Sequence, residues 1–265
     1  SSIILSMGIP MSNYRRIISI GILVLLTVTV LLNCTKEIDG DNLVERNGLE
    51  YEVNDDKPYT GSVTYKYKNG QPKATIEYKD GMRDGTKKTW YENGQQENDA
   101  EFKGGELNGT SKKWYENGQQ ELIADLKDGE RNGTYKEWYE NGQQRRKSKF
   151  KDDERNGTYK AWYENGQLQT VAEYKGGMKD GSSKEWYENG QQFGIAEFEN
   201  GVLNGTGKLW YENGQLQEKG DFKNGERNGS YRAWYENGQK RVKAKYSDGK
   251  IVGTPKEWYE NGQKK

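Results

Sequence analysis

The strongest constraint on this chain is a hexapeptide, Trp-Tyr-Glu-Asn-Gly-Gln, that recurs unchanged every 24 residues. It begins at Trp90, Trp114, Trp138, Trp162, Trp186, Trp210, Trp234 and Trp258, which are all 8 tryptophans of the sequence. A weaker copy, Lys66-Tyr67-Lys68-Asn69-Gly70-Gln71, lies one period earlier. A fixed period of this size marks a repeat architecture. Each unit of such an array buries a stripe against its neighbours, so no central globular core is needed.

Within one period, Thr134 to Tyr139 is rich in β-forming residues, Asn141-Gly142 follows, and a second run returns from Gln143 to Lys151. Asn-Gly between two such runs predicts a β-hairpin with a two-residue type I′ turn. A polar link such as Lys127-Asp128-Gly129-Glu130-Arg131-Asn132 joins one hairpin to the next. The pairing this turn dictates sets Glu140 opposite Gln143, Trp138 opposite Arg145 and Gly133 opposite Phe150. One face then carries Tyr139, Ser148, Phe150 and Gly133, and this is the expected core stripe, with Gly133 leaving room for the Phe150 ring. The opposite face carries Thr134, Lys136 and Trp138, unless a bulge exchanges the two. Its middle position is basic in every full copy: Lys88, Lys112, Lys136, Lys160, Lys184, Lys208, Arg232 and Lys256. A Trp/Lys ladder follows, in which each cation is expected to lie on an indole for about 0.5–1 kcal/mol. The fold class is therefore all-β: an elongated single sheet of stacked hairpins, about seventeen strands wide at the spacing of a β-sheet.

Only 31% of the 265 residues are hydrophobic, and mean hydropathy is −1.20, values that would suit a disordered chain. The strict phasing of the aromatics, 12% of the sequence, argues for an ordered array instead. Basic and acidic residues balance at 41 each, so no broad positive excess points to nucleic acid. Histidine is absent, which removes the imidazole base and ligand, and a single cysteine excludes an internal disulfide. Carboxylates such as Glu140 and Asp128 recur in every copy with no unique pair. A non-enzymatic protein without a cofactor or metal is the expectation.

Residues 1–33 read as upstream residues and a signal peptide starting at Met11: Arg15 and Arg16 precede an uncharged apolar run from Ile17 to Leu32. Leu31-Leu32-Asn33-Cys34 follows, and it resembles a bacterial lipobox, with Asn33 where Gly, Ala or Ser is usual. The resemblance implies lipid attachment at Cys34, export, and anchoring in the cell envelope, with Thr35 favouring an outer membrane. Residues 34–60 read as the lipidated cysteine and a polar tether, or as a degenerate cap on the array. Residues 61–265 read as nine hairpin repeats, the last cut short after Gln263.

The unit Gly-Thr-Tyr-Lys-Glu-Trp-Tyr-Glu-Asn-Gly-Gln, followed by an aromatic residue and Lys-Asp-Gly-Glu-Arg-Asn-Gly, resembles the bacterial variant of the MORN repeat. It is similar in particular to the YwqK-type family of antitoxin or immunity proteins. Membership implies stacked hairpins, a protein partner and, more specifically, a toxin-like domain as that partner. Choline-type cell-wall-binding modules are also similar in their Trp-Tyr and Asn-Gly hairpins, but the lysine beside each tryptophan would repel a cationic ligand. Two functions of different class stand side by side. One is a membrane-anchored protein-interaction scaffold. The other is a module that binds envelope glycan or lipid through the Trp/Lys face. The residues just beyond the hexapeptide vary from Glu97-Asn98-Asp99 to Arg145-Arg146-Lys147 to Phe193-Gly194-Ile195, so specificity is expected there, with the hexapeptide as scaffold.

Overall fold

The computed structural model describes residues 36–265. The segment expected to be a signal peptide and Cys34, the expected lipid attachment site, lie outside the described residues. Residues 36–60 are not a loose tether. Strand β1 (Glu37–Asp39) pairs in parallel with β4 (Gly61–Lys66), while β2 (Leu43–Arg46) and β3 (Leu49–Glu52) form a separate hairpin. The physical reason is apolar burial. Ile38, Leu43 and Tyr65 pack on Tyr59, Val63, Ile76 and Tyr78, the largest apolar cluster of the array. The Tyr59 hydroxyl donates to the Lys36 carbonyl at 2.8 Å and pins the entry of the chain. The segment covers the first hairpin and shields its edge.

From β4 onward, spatial order follows chain order, and each strand pairs antiparallel with the one before it. The sheet has 21 strands. One of these is β1, and three pairs are single arms interrupted at Asn156, Asn204 and the stretch 252–255, which leaves 17 hairpin arms. At two of those interruptions a lysine, Lys149 or Lys245, replaces the carboxylate found at that place in other repeats.

The hexapeptide turn differs from the expected type I′ turn. In the hexapeptide turn, the Gly142 amide donates to the Tyr139 carbonyl at 2.9 Å and the Tyr139 amide donates to the Gln143 carbonyl at 2.8 Å. Gly142 has φ +82, whereas Asn141 is not left-handed. This is a type I turn closed by a left-handed glycine, the three-residue hairpin loop. The cause is the Asn141 side chain, whose Oδ1 accepts from the Gln143 amide at 2.9 Å and so caps the turn. Two-residue type I′ turns occur in the links, where Asp128 and Gly129 have φ of +50 and +81.

The longer loop shifts the register between Glu137 and Trp138, so Trp138 pairs with Gln144 and not Arg145. The shift is confined to the turn end. From Gly133↔Phe150 to Glu137↔Arg146 the pairing is the expected one, and the two faces keep their residues. Ser148 and Phe150 are buried, with Tyr135 edge-on to Phe150 at 5.4 Å between centroids. Small residues at the Ser148 position, such as Ala100, Ala124 and Ala172, are buried between larger neighbours.

Gly133 serves a different purpose from the one expected. It has φ +126 inside a bulge, and a Cβ there would lie 2.8 Å from Asp125 Cβ, not against Phe150. The Asp125 carboxylate fills the space and accepts from the Thr134 amide at 2.8 Å. Asp221 does the same for the Ser230 amide at 3.0 Å and also accepts from the Ser230 hydroxyl. The Ser230 hydrogen bonds hold the Asp221 carboxyl below its ordinary value.

Burial pushes the phenols of Tyr65 and Tyr135 up to about 12, with the Glu137 carboxylate adding to the effect at Tyr135. Tyr91, Tyr115 and Tyr187 are raised as well, chiefly by burial. A raised pKa in the folded state contributes stability that is complete below the ordinary value of 10.0 and is lost as pH rises towards 12. Thermal melts should therefore be level through neutral pH and fall steeply above pH 10. A melting temperature unchanged across that window would contradict the burial of the phenols.

Candidate binding face

Most of the hexapeptide is consumed in joining one repeat to the next. The Tyr139 hydroxyl donates to the Trp162 carbonyl at 2.9 Å, and the same bond recurs from Tyr67 to Tyr235, eight times in all. The Asn141 amide group donates to the Glu164 carbonyl at 3.0 Å, again once per junction from Asn93 to Asn237. Gln119 of one repeat occupies the space that a Cβ on Gly142 of the next would need. Tyr, Asn, Gly and Gln each have a structural task, which explains their invariance. Glu164 and Trp162 are needed in these bonds only for their carbonyls, which any residue would supply.

The indoles themselves take no part in these hydrogen bonds. All 8 are half-buried. The expected cation–π pairs with the neighbouring lysines are not formed: among the described residues, cations stack on tyrosine and phenylalanine instead. Arg131 lies 4.1 Å from the Phe150 ring centre, Arg155 lies 4.9 Å from Tyr159, and Arg227 lies 4.2 Å from Tyr231. These arginines come from the links and lie over the core stripe. The reason is strand direction: Lys136 and Trp138 project from one face side by side with their stems parallel, whereas the link arginine faces its aromatic across the bulge.

The Trp side of the sheet carries one continuous row of residues in register across the strands. Lys88 pairs with Asp99, Lys112 with Ile123, Lys136 with Lys147, Lys160 with Val171, Lys184 with Ile195, Lys208 with Lys219, and Arg232 with Lys243. Each hairpin continues the row into the next, through Asp99↔Lys112, Ile123↔Lys136, Lys147↔Lys160, Val171↔Lys184, Ile195↔Lys208, Lys219↔Arg232 and Lys243↔Lys256. The single acid, Asp99, reaches Lys88 at 4.0 Å. Further along, no acid stands in the row itself, and the Asp221 carboxylate lies beside Lys219 in the neighbouring row. Lys136, Lys147 and Lys160 border a depression of about 570 Å³ with Lys149, Thr134 and Thr158. Lys208, Lys219, Arg232, Lys243 and Lys256 then follow without interruption. A second depression of about 370 Å³ is lined by Trp234, Trp258, Arg232, Lys240, Lys243 and Lys256, so indoles and cations share one surface.

Sequence reasoning placed the first-strand cations on this face and named Lys147 among the residues expected to set specificity, but it did not join Lys147, Lys219 and Lys243 to the ladder. These belong to the variable second strand, which was read as separate from the Trp/Lys ladder. The signal was present: the register that sets Gly133 opposite Phe150 also sets Lys136 opposite Lys147. The variable residues thus set the local charge of the ladder, acidic at Asp99, apolar at Ile123, Val171 and Ile195, and basic at Lys147, Lys219 and Lys243.

No curated protein matches the chain. The MORN repeat variant matches residues 59–80, 83–103, 131–152, 155–175, 179–202, 203–224 and 227–248, more than half of the sequence. The unmatched stretch between 103 and 131 forms the same hairpin, Glu106–Trp114 with Gln120–Lys127. With seven matching segments on an unbroken lattice of stacked hairpins, the chain belongs to the MORN repeat variant family.

Proposed function

We propose that the array is a non-enzymatic binding scaffold and that its Trp/basic face is the surface that engages the ligand. The observation that carries this reading is the run of five cations from Lys208 to Lys256, beside half-buried tryptophans whose indoles take no part in the inter-repeat hydrogen bonds. Cations held in a row repel one another, and none of these five forms an ion pair among the described residues. An anionic ligand would relieve that repulsion, and its affinity would fall with salt. The test is retention on a sulfated-dextran column. The chain should be retained at low salt, and Arg232→Glu with Lys243→Glu should pass through unretained with an unchanged circular dichroism spectrum. Equal retention of the variant would refute the reading.

A second reading takes a protein, including a toxin-like domain, as the partner. It is favoured by the variation of the second strands near the turn, where Glu97 and Arg145 are exposed and Phe193 stacks edge-on to Tyr187 at 5.2 Å. In either case, lipid attachment at Cys34 would hold the scaffold in the cell envelope, within reach of envelope glycan, lipid or an incoming polypeptide. Mass spectrometry of the chain isolated from its own membranes tests the anchor: an unmodified Cys34 would rule it out.

A further inference from the structure

We infer that the C-terminal half of the Trp face is a site for a linear acidic polysaccharide, a β-linked chain of uronic acid units. The inference rests on the reading above of that face as the binding surface, and it names the ligand class. The argument begins with spacing. Lys208, Lys219, Arg232, Lys243 and Lys256 occupy successive strands at one level of the sheet. Successive strands are about 4.8 Å apart, so the five charges span roughly 19 Å along a line that crosses the strands. The tryptophans beside them, Trp210, Trp234 and Trp258, fall on every second strand, at about 10 Å. The complementary ligand is therefore a narrow chain with one negative charge per strand spacing and a flat apolar surface at every second unit.

An extended acidic peptide does not match. Its side chains on one face recur at about 6.6–6.8 Å, so charges fall out of step with the cations after two residues. A lipid surface presents headgroups in a plane, whereas this sheet twists and turns its row with it. A β-linked pyranose advances by close to one strand spacing per sugar. In a uronic acid polymer each sugar carries one carboxylate, successive carboxylates falling on alternate edges of the ribbon within reach of the long Lys and Arg side chains on either side, and the C–H face of the ring is the surface that stacks on indole. The depression of about 370 Å³ between Trp234 and Trp258, beside Arg232, Lys243 and Lys256, lies on this track.

The N-terminal half of the face provides an internal contrast. There Asp99 pairs with Lys88 at 4.0 Å, and Ile123 interrupts the charge between Lys112 and Lys136. No run of five cations forms, so binding is confined to the C-terminal half.

The test is titration of the full chain with β-1,4-linked oligomannuronates of two to eight sugars, followed by tryptophan fluorescence and calorimetry. Affinity should rise steeply with length up to about five sugars, one per cation, and then level off. Arg232→Glu with Lys243→Glu should weaken binding of the hexamer at least tenfold, and Lys57→Glu, in the exposed part of the N-terminal cap, should leave it unchanged. All three side chains are solvent-facing, and unchanged melting temperatures would confirm that the folds are intact. Neutral cello-oligosaccharides of the same length should not bind. Absence of length dependence, or equal binding of the neutral series, would overturn the inference. Oligoglutamate, single-stranded DNA and vesicles containing phosphatidylglycerol serve as competitors. If one of these binds tighter than the hexamer and loses binding on charge reversal, the uronate assignment falls while the binding face stands. If no anion binds, both fall.

Discussion

Replacing Gly133 with valine should break the array at its middle. Gly133 has φ +126, a conformation that a β-branched residue adopts only under strain. Its Cβ would also meet Asp125 Cβ at 2.8 Å, and Asp125 cannot withdraw without releasing the Thr134 amide. Backbone strain and steric conflict together should cost about 3 kcal/mol. Because each repeat contacts only its neighbours, the damage should stay local. Hydrogen exchange should show lost protection in the strands Gln120–Lys127, Glu130–Trp138 and Gln144–Lys151, with the flanking hairpins still protected. Uniform loss across the chain would mean that the array folds as one unit. No loss would mean that the bulge around Gly133 tolerates a side chain.

A larger effect is expected from the hydroxyls alone. Changing Tyr67, Tyr91, Tyr115, Tyr139, Tyr163, Tyr187, Tyr211 and Tyr235 to phenylalanine keeps every ring and removes only the donors to the eight tryptophan carbonyls. One such bond contributes about 1 kcal/mol, so Tyr139→Phe should lower stability by that amount. The eightfold variant should lose several kcal/mol, a large share of what holds a thin sheet together. Neighbouring junctions share repeats, so the total will depart from a simple sum. Urea titration of the single, fourfold and eightfold variants checks the series. A flat series would show that the ladder is incidental to stability, and the invariance of the tyrosine would then need another cause.

The architecture was readable in the sequence because it rests on a period. Trp-Tyr-Glu-Asn-Gly-Gln at 24-residue spacing demands repeats, and the β-rich runs either side of Asn-Gly demand hairpins. The turn types were not readable from the dipeptides alone. Asn-Gly and Asp-Gly carry the same conformational preference, and the difference lies in side-chain bonds, both the local cap of Asn141 on the Gln143 amide and bonds to neighbouring repeats. Asn141 reaches the Glu164 carbonyl of the following repeat, while Asp128 accepts from the Asn108 side chain of an earlier link. The faces survived the wrong turn because the extra residue is absorbed between Glu137 and Trp138, before the paired region begins. The core stripe was half legible. Its aromatics and small residues could be read by alternation, but the arginines stacked on them, Arg131, Arg155 and Arg227, come from links whose path depends on the bulge at the following glycine. The cap at residues 36–60 was obscured by its polar composition. Apolar contacts from Ile38, Leu43 and Tyr59 are enough to fold it onto the first hairpin.

The basic row shows how a uniform scaffold can hold a non-uniform surface. Every first strand supplies a cation at the same level, and the second strand decides whether the next place is Asp99, Ile123 or Lys147. Conserved spacing fixes geometry, and the variable strand writes charge onto it.

The central claim is this division of labour between the lattice and the face. Ligand-induced stabilisation tests it most directly, because a ligand that binds only the folded state raises the melting temperature. Melting curves would be recorded with and without dextran sulfate for the unmodified chain, for Tyr235→Phe, and for Arg232→Glu with Lys243→Glu. The account predicts that Tyr235→Phe melts lower but keeps the full upward shift, while the charge-reversed chain melts no lower than the unmodified one and shows no shift. A shift retained after charge reversal, or lost in Tyr235→Phe, would contradict it.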